Sequence, residues 1–386
     1  MIRALIRLLI ILSISAASSD RVRAEVATDI PTLTTLPEAK PHWVWVGGLG
    51  GKVTLIDADT GDYLATLSNG TGLMKLDFPT HAEHFYSTET YYARGTRGER
   101  TDVVTLYDRF SLRAVDEIVI PPRAYDGMAL QPLTALSDDE AFLYVFNMSP
   151  SQSVTVIDLK AKRVAAELNT PGCALIYPTG NRRFQMICGD GAMLTIEIDN
   201  AGQESARKRS AVFFDGNADP IMEKAVRFGD RWLFPSFEGQ LHEVKTTNAG
   251  TVFPGPWSLV SDAERAERWR VGGALPIAAH QQRRAFYVLM HQGGIDTHKD
   301  PGDQVWAFDP NTRQRTHTIT LRRPVTTIQV TQDEQPLLIC GVEGDAGPSL
   351  DVYDLTTGEF QRTIEEVGAF VATLIQPYAR QHEGAP

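Results

Sequence analysis

Val53-Thr54-Leu55-Ile56-Asp57, Val104-Thr105-Leu106-Tyr107-Asp108 and Val154-Thr155-Val156-Ile157-Asp158 are three copies of one short pattern. It recurs as Thr195-Ile196-Glu197-Ile198-Asp199, Leu241-His242-Glu243-Val244-Lys245, Val305-Trp306-Ala307-Phe308-Asp309 and Leu350-Asp351-Val352-Tyr353-Asp354. Apolar residues alternate or nearly alternate in each copy. Successive side chains leave a strand on opposite faces, so this pattern predicts half-buried strands. Most copies end in Asp and run into a turn, as in Asp57-Ala58-Asp59-Thr60-Gly61, and a second strand follows, such as Tyr63 to Leu67 or Phe360 to Ile364. The last residues of successive copies lie 51, 50, 41, 46, 64 and 45 positions apart. Short strands repeating at such a period predict a β-propeller, here an all-β fold of seven blades. Phe370 to Gln376 is left over after blade 7. It is predicted to pair beside Trp43 to Gly47 as the innermost strand of blade 1, so that the C-terminal strand closes the ring and removes both exposed edges.

The two ends read differently from the middle. Residues 1–24 look like a cleavable export signal: two arginines by Arg7, a largely apolar stretch from Leu8 to Ala17, then Val22-Arg23-Ala24 with small residues at −3 and −1. The apolar stretch is too short for a bilayer, which needs about 20 residues. The mature chain is expected to begin near Glu25, outside the cytoplasm. Residues 25–42 are polar and punctuated by proline, which predicts an extended arm; 43–376 carry the propeller and 377–386 a frayed tail. The formal charge is −11. Cleavage removes four Arg and one Asp, and −11 − 4 + 1 gives −14. An acidic chain argues against nucleic acid and anionic membranes, whose binding rests on basic patches, and attracts cationic ligands such as amines.

Cys173 and Cys188 bracket a stretch whose midpoint falls between Gly180 and Asn181, which is turn chemistry. The two cysteines therefore face each other across a hairpin, and in an oxidising compartment they are expected to form a disulfide. Cys340, in Leu337-Leu338-Ile339-Cys340, reads as a buried free thiol.

Catalytic signatures are missing. The chain has no G-x-S-x-G elbow, no H-E-x-x-H and no C-x-x-C. Gly47-Gly48-Leu49-Gly50-Gly51-Lys52 imitates a phosphate loop, but Val53 follows it and it joins two strands, so it is read as a glycine-rich turn. His81 with His84, and His291 with His298, lack the cysteines or carboxylates that would complete a metal site, and no metal is expected. Two irregular stretches stand out. Ser261-Asp262-Ala263-Glu264 is a capping box opening a short helix that ends near Trp269. Tyr91-Tyr92-Ala93-Arg94-Gly95-Thr96-Arg97-Gly98-Glu99-Arg100-Thr101-Asp102 crowds three arginines and two tyrosines into one loop. Tyr and Arg are enriched at protein interfaces, so this loop is a candidate partner contact, with an internal salt-bridged loop as the other reading.

At these residues the chain resembles the heavy subunits of quinoprotein amine dehydrogenases, the methylamine and aromatic amine enzymes. Arg94 to Asp102 is similar to that family's Arg-x-x-Arg-Gly-Glu-Arg-Thr-Asp segment. Asp262 through Trp269 with Gly272-Gly273, Met290-His291-Gln292-Gly293-Gly294 with Thr297-His298-Lys299, the Cys173–Cys188 pair, and Thr331-Gln332-Asp333-Glu334-Gln335-Pro336-Leu337-Leu338 match further segments. The resemblance spans about residues 43 to 376. It implies a seven-bladed scaffold with no cofactor of its own, assembled as an α2β2 heterotetramer with a light subunit that carries tryptophan tryptophylquinone and the catalytic base. The complex would oxidise a primary amine to aldehyde and ammonia in the periplasm and pass electrons to a blue-copper protein of amicyanin or azurin type. The implied partner-facing residues are Tyr92, Arg94, Arg97, Arg100, Asp102, Trp269, His291 and His298. Gly72 and Leu73 would line the substrate channel. Gly72 stands where methylamine-type relatives carry a Phe, which implies a wider entrance and a bulkier amine. Two other readings remain open: a propeller serving another periplasmic partner, and a lactonase-like hydrolase with a central metal.

Overall fold

The computed structural model describes residues 35–48, 50–80, 83–128, 130–247, 249–344, 347–368 and 374–378. The export signal, the first part of the arm and His81 lie outside them. The described residues form seven antiparallel sheets, the blades of a β-propeller. From the axis outward, blade 1 is Leu374–Pro377, Trp43–Gly47, Lys52–Asp57 and Tyr63–Ser68. Blade 2 is Leu76–Asp77, His84–Tyr92, Arg100–Asp108 and Ala114–Ile120, and blade 3 is Thr134–Leu136, Phe142–Asn147, Ser153–Asp158 and Arg163–Asn169. Blade 4 is Cys173–Pro178, Arg183–Cys188, Met193–Ile198 and Glu204–Arg209. Blade 5 is Val226–Phe228, Arg231–Pro235, Gln240–Thr247 and Gly250–Val252, with Trp257–Ser258 also paired to its third strand. In blade 6, Trp269–Val271 and Ile277–His280 both pair with Ala285–Gln292, followed by Gly302–Asp309 and Gln314–Val325. Blade 7 is Thr327–Val330, Leu337–Val342, Ser349–Asp354 and Phe360–Ile364.

Each copy of the repeated pattern is the third strand of its blade. Six end in Asp because that carboxylate folds back on the turn to the fourth strand. Asp57 accepts from Asp59 N, Asp108 from Phe110 N and Ser111 N, and Asp158 from Ala161 N. Asp199, Asp309 and Asp354 do the same for Ala201, Asn311 and Thr356. Asp side chains that cap their own following backbone favour turns. Blade 5 has Lys245 there, and its third strand runs on to Thr247 instead. The second and third strands are almost wholly buried, because neighbouring blades cover both faces, whereas the outermost strand Glu204–Arg209 is exposed throughout.

The ring closes with the described part of the expected strand, Leu374–Pro377; residues 370–373 of that expectation lie outside the described residues. Val44 pairs with Pro377, Trp45 with Gln376, Val46 with Ile375 and Gly47 with Leu374. One boundary moves: Pro377 and Tyr378, assigned to the tail, belong to the propeller. Tyr378 is 3% exposed and stacks on Trp45 with centroids 6.0 Å apart, because its ring fills the base of blade 1. Side chains also stitch the blade seams. Gln376 donates to Leu76 O across blades 1 and 2, Thr134 to Asp77 across 2 and 3, and Trp232 to Pro178 O across 4 and 5. Gln281 reaches Arg227 O across blades 5 and 6, Gln332 reaches Ala279 O across 6 and 7, and Gln329 reaches Ile375 O across the closing seam of 7 and 1. The innermost strands enclose an axial cavity of about 310 Å³.

The Cys173–Cys188 disulfide joins the two inner strands of blade 4, and Cys340 is a buried free thiol. The hairpin is not the uninterrupted one the midpoint suggests. Tyr177 pairs with Gln185, one residue out of step with the Cys173↔Cys188 pair. A bulge at Leu175, whose φ is 65°, restores the register that brings the cysteines opposite.

Candidate functional site

Strands alternate in direction within a blade, so the links from second to third strand and from fourth strand to the next blade emerge at one end of the ring. Every candidate residue read from the sequence lies at that end, and the tertiary structure sorts them into two clusters.

The first cluster is the junction of blades 1, 2 and 3, where segments 69–75, 90–102 and 124–128 converge. The second and third strands of blade 2 outrun those of its neighbours, pairing on through Tyr91↔Thr101 and Tyr92↔Arg100. They form a hairpin arm whose tip is ordered by Ala93 N donating to Glu99 O and Arg94 N to Arg97 O. Its base is fastened by a bidentate pair: Arg100 donates to both Asp102 oxygens at 2.7 and 2.8 Å. Arg100 also donates to Ala124 O, and Asp102 accepts from Ala124 N at 2.8 Å. Burial of the Arg100 guanidinium favours its neutral form, but the hydrogen bond and charge of Asp102 outweigh this and raise its pKa. Asp102 is 0% exposed. Arg100 and Asp102, expected at a partner interface, are therefore an internal brace; a desolvated carboxylate needs its partner inside the fold. Tyr92 is half-buried, while Arg94 and Arg97 are exposed. Neither guanidinium has a hydrogen-bonding or ion-pair partner among the described residues.

Gly72 and Leu73 lie beside the arm, because Thr71 N donates to Thr90 O and the Thr71 hydroxyl to Gly95 O. The glycine-rich turn packs here too: Gly51 N donates to Gly72 O, and a Cβ on Gly51 would lie 1.9 Å from Gly70 O. The expected wide entrance at Gly72 is not open. Asp126 fills it, with its Oδ2 2.0 Å from where a Gly72 Cβ would stand. The same carboxylate accepts from Leu73 N and from Lys75 Nζ, both at 3.0 Å. Leu73, expected to line a channel, is 1% exposed and belongs to a core cluster with Leu130 and Leu133. Its apolar side chain is drawn into that core by burial. Asp126 and Lys75 carry no sequence motif, and only the convergence of the segments reveals them.

The second cluster joins blades 5 and 6. The helix forms at Asp262–Ala266 with the capping box intact. Glu264 also pairs with Arg315 at 2.5 Å, and Arg265 donates to Glu238 O, so the insertion is pinned to both blades. Trp269 is half-buried against Trp306, with centroids 5.3 Å apart. His291, expected at an interface, is 5% exposed and so cannot offer its ring to a partner. Its Nε2 lies 2.9 Å from the Thr297 hydroxyl, which itself donates to Gly294 O, so the imidazole is fixed as the donor. Burial holds the ring neutral by lowering its pKa, against the pull of Asp300. Gly272 and Gly293 are close-packed on it: a Cβ would stand 2.3 Å and 2.5 Å from its ring nitrogens. His298 stacks on Phe237 of blade 5 at 3.8 Å. Burial lowers its pKa as well, helped by Lys299 and Lys224.

Among the described residues no three His, Cys, Asp or Glu side chains are gathered as a metal would require. The site supplies exposed arginines on a braced arm, a half-buried Lys75–Asp126 pair and a stiffened loop, which is equipment for binding and positioning.

Comparison with known proteins gives one family. The family model described as methylamine dehydrogenase heavy chain matches residues 49–376. The methylamine dehydrogenase heavy chain of Paracoccus versutus is 31% identical over 321 residues, covering 81% of this chain and 73% of that one. The protein of the same name from Methylophilus methylotrophus is 29% identical over 281 residues, covering 72% and 68%. Among solved structures, a functionally unknown protein from Desulfotomaculum acetoxidans superposes with a TM-score of 0.58 at 11% identity, over 88% of this chain and 100% of its own. A dihydro-heme d1 dehydrogenase does so with 0.55 at 17% identity, over 86% and 65%. At such identities these two are similar in fold alone.

Proposed function

Because this chain belongs to the methylamine dehydrogenase heavy chain family, we propose that it is the large, scaffolding subunit of a periplasmic amine dehydrogenase. Its partner is a light subunit, joined in an α2β2 heterotetramer. Oxidative deamination of a primary amine, with water supplying the carbonyl oxygen, gives aldehyde, ammonia, two electrons and two protons. Tryptophan tryptophylquinone in the light subunit supplies the electron sink, and a blue-copper protein of amicyanin or azurin type takes the electrons onward. This chain's own residues position that partner and shape the approach to it. Arg100, Asp102 and Asp126 hold the blade 2 arm and the Gly72 segment in one register, and the His291–Thr297 contact fixes the blade 6 loop. The acidic body attracts a cationic amine.

The observation that carries this reading is the family match over residues 49–376 together with the two clusters gathered at one end of the ring. The test is reconstitution. The mature chain alone is expected to leave amines unoxidised, and the chain with its light subunit to bleach an electron-accepting dye when given an amine. Turnover by the isolated chain defeats the scaffold reading.

A further inference from the structure

The hairpin between Tyr91 and Arg100 is built to project and to stay rigid. It extends blade 2 beyond its neighbours, its tip is ordered by backbone hydrogen bonds, and its base is held by Arg100 and Asp102. At its end stand Arg94 and Arg97, exposed and without partners among the described residues. The surroundings make this pair informative. The chain carries 48 carboxylates against 37 Lys and Arg. Some surface arginines elsewhere pair with them, as Arg123 does with Glu167, Arg207 with Glu204 and Arg209 with Asp190, whereas Arg94 and Arg97 stand together at one ordered tip. Exposed apolar side chains flank the arm. Tyr91 is 40% exposed at its edge. Met128 (41%) ends the 124–128 segment that clamps the base, and Met148 (40%) follows Asn147, the bridge partner of Ala124. Free guanidinium groups beside Tyr and Met are the composition of an interface, and a pre-ordered arm loses little entropy on binding.

We propose that this hairpin is a docking arm on which Arg94 and Arg97 receive carboxylates of the light subunit, while Arg100 and Asp102 brace it. The proposal rests on the scaffold reading above and adds to it the surface, the chemistry of the contact and a division of roles within one motif. Guanidinium groups bind carboxylates through paired hydrogen bonds. An acidic second copy of this chain is the competing occupant.

The experiment uses the full mature chain and its native light subunit. Affinity is titrated at low and at about 0.3 M salt, where screening shortens the reach of exposed charges. The double variant Arg94→Glu/Arg97→Glu is expected to bind the light subunit about tenfold or more weakly, equivalent to about 1.4 kcal/mol or more. It should lose most of the salt dependence and melt at the wild-type temperature, since neither side chain has a partner to lose. Arg94→Lys/Arg97→Lys should recover part of the affinity. Arg100→Ala, in contrast, should lower the melting temperature. Unchanged light-subunit affinity in the double Glu variant overturns the docking arm and leaves the scaffold reading standing. A wild-type chain that does not bind the light subunit overturns both. Loss of self-association instead of light-subunit binding, seen by sedimentation, assigns the arm to a second copy and overturns the proposal.

Discussion

Gly72 has no room for a methyl group. Its backbone is ordinary, but the Asp126 carboxylate occupies the place of a side chain and is itself held by Leu73 N and Lys75 Nζ. The Lys75 side chain is 2% exposed, so Asp126 is the counter-charge that makes its burial tolerable. Gly72→Ala is therefore expected to destabilise by about 1–3 kcal/mol through overpacking, read as a lower urea midpoint. An unchanged midpoint would mean the carboxylate moves aside freely. The same geometry changes what Gly72→Phe can report. The ring must first expel Asp126, so a loss of turnover in that variant measures disrupted packing before it measures channel width.

At the scale of elements, the seam between first and last blades carries a titratable clasp. His42, just before the strand Trp43–Gly47, lies 2.7 Å from Asp59 of blade 1 through Nδ1 and 3.1 Å from Asp333 of blade 7 through Nε2. Both partners are carboxylates, so both ring nitrogens donate only when the imidazole is charged. Burial opposes that charge, but Asp59 and Asp333 outweigh it and raise the His42 pKa. Burial likewise favours a neutral Asp333, and its bond from Thr331 with the His42 charge holds its pKa below the usual value. Lys40 stands nearby, committed to Asp57 at 3.0 Å. A raised histidine pKa stabilises the fold fully below its unfolded value of about 6.5 and loses that contribution as pH climbs through the folded value. The urea midpoint is thus expected to fall as pH rises above about 6.5, and His42→Gln to flatten that fall. An equal slope in the variant would remove His42 as its source.

For the whole molecule, closure is the decisive interaction. The strand Leu374–Pro377 supplies the inner edge of blade 1, and Gln329 and Gln376 bond it to the strands on either side. Tyr378 continues into the core against Trp43, Trp45 and Phe78. Deleting 369–386 leaves Trp43–Gly47 as an open edge of buried apolar residues, the kind of edge that pairs with other chains. The truncated chain is expected to aggregate, with light scattering as the measure. A soluble truncation unfolding in one cooperative step would show that the seam holds without its strand.

The fold class was legible because a propeller is a repeat, and a repeat writes its period into the chain. Seven strand patterns with turn-capping Asp residues sufficed for the blades, and counting strands placed the closing one. The Cys173–Cys188 pair and the Ser261 capping box were legible because both are local, although the Leu175 bulge was not. What the sequence could not settle was which members of a motif face inward. Arg94 and Arg100 look alike in the string, yet one is exposed and the other braces Asp102 to Ala124. That difference depends on a segment more than 20 residues away meeting the arm. Likewise Leu73 and His291 became core residues, and Asp126 came to fill Gly72, through contacts between blades. Strand periodicity is carried by neighbours along the chain; the burial and pairing of a loop side chain is decided by whatever the closed ring sets against it.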